Sequence, residues 1–305
     1  MAFRKHLELD LRLAWRVLHD TKLQIPTDSE KLFGPVFEQV SEKAAKKLAN
    51  LCSEFENAAS SDSGQAVAEP ELEIFRSPLA GGEAPLGVRM CTRATPGQIV
   101  CFYPGRIFPP NEPNLPKSDM LYSNEYGSQY VDGKAWMPLH LREDPIMAQQ
   151  PPATLWHANR LAVGNLMNHP PAGTFPSCVP IPFRWPTWQE LGQRSPAFWA
   201  RLVPHIEMKD GQVVRTAIGE KANSSPGTPE AERVWFPPWP HMGIALLAIR
   251  NLHPGEEIFW NYRLHPRTDL AARKTGAALQ YPSWYTPVDD EALEAAVRAE
   301  VDNIE

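Results

Sequence analysis

The chain has 305 residues, 43% hydrophobic and 22% charged, an ordinary globular balance with ample length for a buried core. Thirty Lys and Arg against 36 Asp and Glu leave a formal net charge of −6, which argues against nucleic acid as the primary ligand, because a phosphate backbone demands clustered cations. Thirty-two prolines, about twice the average usage, disfavour an all-helical bundle and favour short strands joined by shaped loops.

Residues 1–58 read as a helical N-terminal region. Leu7, Leu11, Leu13, Ala14, Val17 and Leu18 fall largely on one helical face, and Pro26 breaks the pattern. A second segment carries Phe33, Val36, Phe37, Val40, Ala44, Leu48 and Leu51 at three- and four-residue steps, with Lys43, Lys46 and Lys47 on its polar side. A helix packed on its own domain is the expected arrangement, ahead of a basic face that docks a partner. Residues 59–73 are small and polar and read as a linker. From residue 74 short apolar runs alternate with Gly and Pro, as in Gly87–Cys91, Gln98–Tyr103 and Gln129–Val131, the rhythm of small β elements. Within a loop-rich stretch, residues 209–232 form a polar excursion, read as a loop insertion. Met242–Ile249 is the strongest strand signal, and its unbroken apolarity predicts burial on both faces. Residues 266–305 are a tail with a helix from about Asp289. Asp289, Asp290 and Glu291 suit the positive end of that helix, and Leu293, Val297, Val301 and Ile304 give its apolar stripe.

Cys52, Cys91, Cys101 and Cys178 show no C-x-x-C spacing and are too few for a disulfide scaffold, so reduced buried thiols are expected. No run approaches about 18 apolar residues, so no membrane span is expected. The opening Met1–Asp10 lacks the apolar core of a signal peptide and carries acids that transit peptides avoid. An intracellular protein, nuclear or cytoplasmic, is the expectation.

Three segments carry chemistry together rather than singly. They are Pro85–Gly105, with Gly87-Val and Tyr103-Pro-Gly; Asn159–His169, ending Gly164-Asn-Leu-Met-Asn-His; and Ile244–Tyr262, with Ala248-Ile-Arg-Asn-Leu-His-Pro-Gly-Glu-Glu-Ile-Phe-Trp-Asn-Tyr. In order and content the set resembles a SET domain, the fold of protein-lysine methyltransferases, over about residues 74–265. The resemblance implies an α+β fold of small sheets with a C-terminal pseudoknot, a helical N-terminal extension and a C-terminal helix. It implies S-adenosyl-L-methionine as cofactor and methyl transfer to a neutral lysine amine of a protein substrate, histone tails among the candidates, with no direct nucleic-acid, membrane or metal role. Tyr262 and Tyr103 are the catalytic candidates the family pattern supplies. Leu86, Gly87, Val88, Asn168, His169 and Tyr262 are the cofactor-binding candidates, and Trp260 and Phe259 those of the substrate channel. Such chemistry needs in-line alignment and a slot that disfavours the charged ammonium, with oxygen acceptors to orient the amine.

The chain departs from the family pattern in several places. Pro85 replaces the first glycine of the opening turn, Asn165-Leu166 replaces an Arg-Phe pair, and Pro170-Pro171 follows the Asn-His pair. Trp260 stands where Phe or Tyr is common, which crowds the channel and favours a single methyl or silence. The flanking zinc-binding cysteines are missing, leaving the aromatic tail Tyr281–Tyr285 as a candidate to close the channel. Two rival readings remain: a catalytically silent SET-fold interaction module, and a metal hydrolase. Nine histidines without H-E-x-x-H or comparable spacing make the second the weaker.

Overall fold

The chain, seen in a computed structural model, is described for residues 12, 14, 29–60, 71–78, 86–108, 123–126, 129–133, 136–138, 155–157, 159–186, 190, 202–205, 207–209, 212–215, 242–262 and 285–302. The elements are helix α1 (Ser29–Ser60), strands β1 (Leu72–Arg76), β2 (Leu86–Met90), β3 (Ile99–Tyr103), β4 (Arg106–Phe108), β5 (Ser123–Tyr126), β6 (Gln129–Asp132), β7 (Trp136–Pro138), β8 (Leu155–His157), β9 (Cys178–Arg184), β10 (Glu207–Lys209), β11 (Gln212–Arg215) and β12 (Met242–Ala248), and helix α2 (Asp290–Asp302). They form small sheets: β1-β2, β3-β12-β9, β4-β6-β5 and β10-β11, all antiparallel, and a parallel pair β7-β8. The architecture is α+β.

The apolar run of β12 is the reason the pieces cohere. Period-two alternation sends its side chains to both faces. Ile244, Leu246 and Ala248 join one hydrophobic cluster, while Ala245, Leu247 and the following Ile249 join another. The second cluster takes the apolar stripe of α1 (Val36, Val40, Ala44, Leu48 and Leu51) and Leu293 and Val297 of α2. α1 and the central sheet therefore share one core. β9 carries Pro180 and Pro182 opposite Leu246 and Ile244. As an edge strand it tolerates residues that lack an N–H. The other face of β12 looks toward Leu86, Val88, Tyr103, Met167 and Trp260.

The excursion expected at 209–232 opens inside a hairpin rather than a loop, since β10 and β11 pair Glu207–Lys209 with Gln212–Arg215. Val213-Val214, after Asp210-Gly211, is the local cause, because a β-branched pair after a turn dipeptide favours strand pairing. Residues 216–232 lie outside the described residues. So does the first amphipathic segment apart from Arg12 and Ala14, both helical, and so do Pro85, Tyr281, Trp284 and Ile304. The Asp289 carboxylate accepts from the Glu291 and Ala292 amides at 3.0 and 3.1 Å, an N-cap that starts α2 where the acidic run ends. No helix among the described residues is long and apolar enough to cross a membrane. No disulfide joins the four cysteines, and burial pushes the Cys101 and Cys178 thiols well up.

Leu247 is fully buried on the helix side of β12. Leu247→Ala is expected to cost about 2–5 kcal/mol, measured by chemical denaturation. A loss far below that range would contradict its place in a close-packed core.

Candidate functional site

The site is built by one extended stretch, residues 252–262, laid between two others. On one edge it bonds β2 and the turn after it. Leu252 and Ala94 exchange N–H···O bonds of 2.9 and 3.1 Å, Met90 donates to the Glu256 carbonyl at 2.9 Å, and Ile258 donates to the Val88 carbonyl at 2.9 Å. On the other edge the Trp260 amide donates to the Asn168 carbonyl at 3.2 Å, and the Ser177 and Cys178 amides donate to the Phe259 carbonyl at 2.8 and 3.0 Å. Leu86–Val88, Asn168–His169 and Tyr262 thus meet in one place, although 93 residues separate His169 from Tyr262.

Adjacent residues of an extended chain point opposite ways, and this splits the two glutamates. Glu256 turns back to pair with Arg250 and to accept from the His253 amide at 3.0 Å, closing the Pro-Gly turn. Glu257 faces Gly87. Its carboxylate accepts from Ser77 Oγ at 2.8 Å and from Asn168 Nδ2 at 3.0 Å, and the same Asn168 amide reaches the Leu86 carbonyl at 2.9 Å. A Cβ on Gly87 would stand 2.5 Å from Glu257 Oε1 and 3.2 Å from Asn168 Nδ2. Close approach of a ligand is the reason the family pattern supplies for this glycine. The packing gives another: the missing Cβ admits the chain's own carboxylate. Asn168 Oδ1 remains an acceptor beside it.

Beyond this polar node runs a line of rings. Tyr103 meets Trp260 edge-on at 5.8 Å, Trp260 meets Tyr262 at 5.0 Å, Tyr262 meets His169 at 5.6 Å, and His169 stacks on Tyr285 at 4.3 Å. Tyr262 donates its hydroxyl proton to the Met167 carbonyl at 2.6 Å. That bond fixes the phenol oxygen and leaves its lone pairs as acceptors. The Trp260 indole N–H is buried without a hydrogen-bond partner among the described residues. Tyr103 is buried where its ring crosses Gly133, whose Cβ would come 3.1 Å from Tyr103 Cε1.

His169 ties the tail to this line. The Thr286 carbonyl lies 2.7 Å from Nε2 and can only accept, so Nε2 carries the proton. Nδ1 then accepts from the Tyr262 amide at 3.3 Å. The ring is neutral. Burial holds His169 below its ordinary pKa, partly offset by the Thr286 carbonyl.

Phe259 sits off the line. Alternation sets it on the face of Glu257, opposite Ile258 and Trp260, which join the site-side cluster. Several residues of the site are given no role by the sequence pattern: Glu257, Ser77, Met167, Asn165 and Thr286. Asn165 donates to the Gly133 and Trp136 carbonyls, both at 2.8 Å, and so fastens the strand start that backs Tyr103. Glu257 carries a signal, since a paired Glu in a strand must face two environments. Ser77, 180 residues away, carries none. Among the described residues no group of three or more His, Cys, Asp and Glu is placed to hold a metal ion.

No family model matches the chain, and no curated protein matches it. Among solved structures it is similar to the crystal structure of KRYPTONITE in complex with mCHH DNA, an H3(1-15) peptide and SAH, at 14% sequence identity and a TM-score of 0.30, over 67% of this chain and 25% of that one. The chain thus spans a quarter of the length of that neighbour.

The neutral His169 makes stability depend on pH. The folded chain resists protonating this ring, so below about pH 6.5 the unfolded chain binds more protons. Its contribution is complete above that value and is lost as pH falls through the depressed folded pKa. His169→Gln, which keeps a donor and an acceptor, is expected to lose less stability than the parent between pH 7 and 5 in urea titrations. Identical pH slopes would contradict the assignment. Separately, Gly87→Ala is expected to destabilise by about 1–3 kcal/mol, because the methyl group drives Glu257 off Asn168; differential scanning calorimetry reads this, and an unchanged melting temperature would reject it.

Proposed function

We propose that the chain is an S-adenosyl-L-methionine-dependent protein-lysine N-methyltransferase. One observation carries the reading: Leu86–Val88, Asn168–His169 and Trp260–Tyr262 converge through main-chain bonds on a single spot where a carboxylate node adjoins a line of aromatic rings. The SET-domain resemblance of these segments names the chemistry such a spot would serve. Within that family the segments resemble SET domain-containing protein 9, in Tyr103-Pro-Gly, Leu161-Ala-Val-Gly and Gly255-Glu-Glu to Asn261-Tyr262.

The charges of the cofactor fit the residues present. Glu257 and Asn168 Oδ1 suit an ammonium, and the faces of Tyr103, Trp260 and Tyr262 suit a sulfonium cation. Leu86, Gly87, Val88, Asn168, His169 and Tyr262 would hold it, with Asn168 and His169 acting mainly through main-chain groups. When bound, the cofactor supplies an electrophilic methyl group on sulfur.

The chain's own groups do the rest. Trp260 and Tyr103 exclude water, and that loss of hydration disfavours the charged form of a lysine, so the amine meets the site with its lone pair free. The Tyr262 hydroxyl has committed its proton to Met167, so its oxygen accepts an N–H of the amine and orients it. The substrate is a protein bearing a target lysine, and the acidic balance of the chain suits a lysine-rich tail such as that of a histone, in the nucleus or the cytoplasm.

Trp260 favours a second reading on a specific observation. It is buried between Tyr103 and Tyr262, so it narrows the slot they form. A slot closed by this ring would make a silent interaction module that still binds the cofactor; a slot narrowed by it would add one methyl only.

Transfer of a tritiated methyl group from the cofactor to protein arrays separates the two. Transfer with a monomethylated product is the expected result, and calorimetric binding of S-adenosylhomocysteine without transfer would favour the module. Tyr262→Phe is expected to lower turnover by about a hundredfold or more with the fold and S-adenosylhomocysteine affinity kept. Unchanged turnover would remove Tyr262 from its orienting role.

A further inference from the structure

A cavity lies away from these rings, between α1 and the turn joining β2 to β3. It has a volume of about 570 Å³ and opens to solvent. Lys43, Lys46, Lys47 and Asn50 line it from the helix, and Thr92, Thr95 and Gln98 from the turn. The same three lysines form the basic side of α1 that the methyltransferase reading leaves without a task.

The charges around the cavity do not cancel evenly. Lys47 is paired with Glu71 at 2.6 Å, and Glu54 with Arg160 at 2.6 Å. Lys46 makes only a solvated contact with Glu42, one helical turn away, with both side chains mostly exposed. Such a pair is readily exchanged. Lys43 reaches across 54 residues of sequence to the Gly97 carbonyl at 3.0 Å and has no carboxylate partner among the described residues. Lost hydration there, with the neighbouring Lys46 charge, holds its ammonium below the ordinary pKa.

The wall is already set. The Gly97 amide donates to the Ala248 carbonyl at 2.9 Å, and the Ala248 amide donates to the Gln98 carbonyl at 3.0 Å, which fastens the turn to the end of β12. The Gln98 side-chain oxygen is taken by the Thr95 amide at 3.2 Å, so its NH2 group is left over to donate. The side chains of Asn50, Thr92 and Thr95 make no hydrogen bond among the described residues. One space therefore holds an uncompensated ammonium, a second that can swing in, two hydroxyls and two amides. Both carboxylates that line it are already occupied. A tetrahedral oxyanion with several acceptor oxygens satisfies such a set, and a planar carboxylate does not use all of it.

We propose that this cavity is a second binding site, for a small organic phosphate whose phosphoryl group sits against Lys43, Lys46 and the Thr92–Gln98 turn. The assignment stands independently of the methyl-transfer reading. The volume matches a ligand of small-molecule size.

Isothermal titration of the full chain with inorganic pyrophosphate, at neutral pH and low salt, tests it. Saturable binding is expected, weakened at least tenfold by Lys43→Met and several-fold by the double variant Thr92→Val with Gln98→Leu, while Arg298→Met on α2 leaves it unchanged. Far-UV circular dichroism checks that each variant folds; should Lys43→Met not fold, the turn variant decides. No heat of binding by the parent chain, equal affinity in the cavity variants, or equal affinity for malonate would overturn the phosphate site.

Discussion

Main-chain hydrogen bonding along both edges of residues 252–260 is the constraint on which the site depends. The stretch is neither helix nor a long strand. It gains its order from partners on β2 and the Ala94 turn on one side and from Asn168, Ser177 and Cys178 on the other. A buried backbone group left unpaired costs about 1–3 kcal/mol, so the stretch has one arrangement that satisfies both edges. That arrangement sets the side-chain directions by parity: Ile258 and Trp260 enter the site-side cluster, and Glu257, on the opposite face, turns toward Gly87.

The sheet behind it separates two jobs. One face of β12 shares a core with the apolar stripes of α1 and α2 and with the rings of Phe102, Phe183 and Trp185. The opposite face backs Tyr103, Met167 and Trp260. α1 packs chiefly on β9 and β3, the neighbours of β12, and so supports the sheet that backs the rings. The same helix carries its lysines outward to the Thr92–Gln98 turn, which β12 also anchors through Ala248. A rigid central strand thus serves the proposed reaction slot on one side and a polar cavity at one end.

Much of this is legible in the sequence because it is written in periodicity. The unbroken apolar run at 242–249 marks a strand buried on both faces, and three- and four-residue steps mark α1 and α2. Asp289 marks its own helix start. The three separated motifs indicate which segments meet. Periodicity does not show how side chains close the gaps between them. Ser77 with Glu257, His169 with Thr286, Asn165 with Gly133 and Lys43 with Gly97 are single polar contacts across long stretches of chain. No local rule encodes them, since each depends on which groups are left unsatisfied once the strands have paired. Gly87 shows the same limit: a glycine signals close approach, and only the packing tells what approaches.

The central claim is that the meeting point of Leu86–Val88, Asn168–His169 and Tyr262 seats a methyl donor. A crystal structure of the chain grown with S-adenosylhomocysteine tests it most directly. The account predicts the amino-acid end of the ligand beside Glu257 and Asn168, with its sulfur facing the oxygen of Tyr262 across the Trp260 ring. Ligand bound elsewhere, or a sulfur turned away from Tyr262, would contradict it.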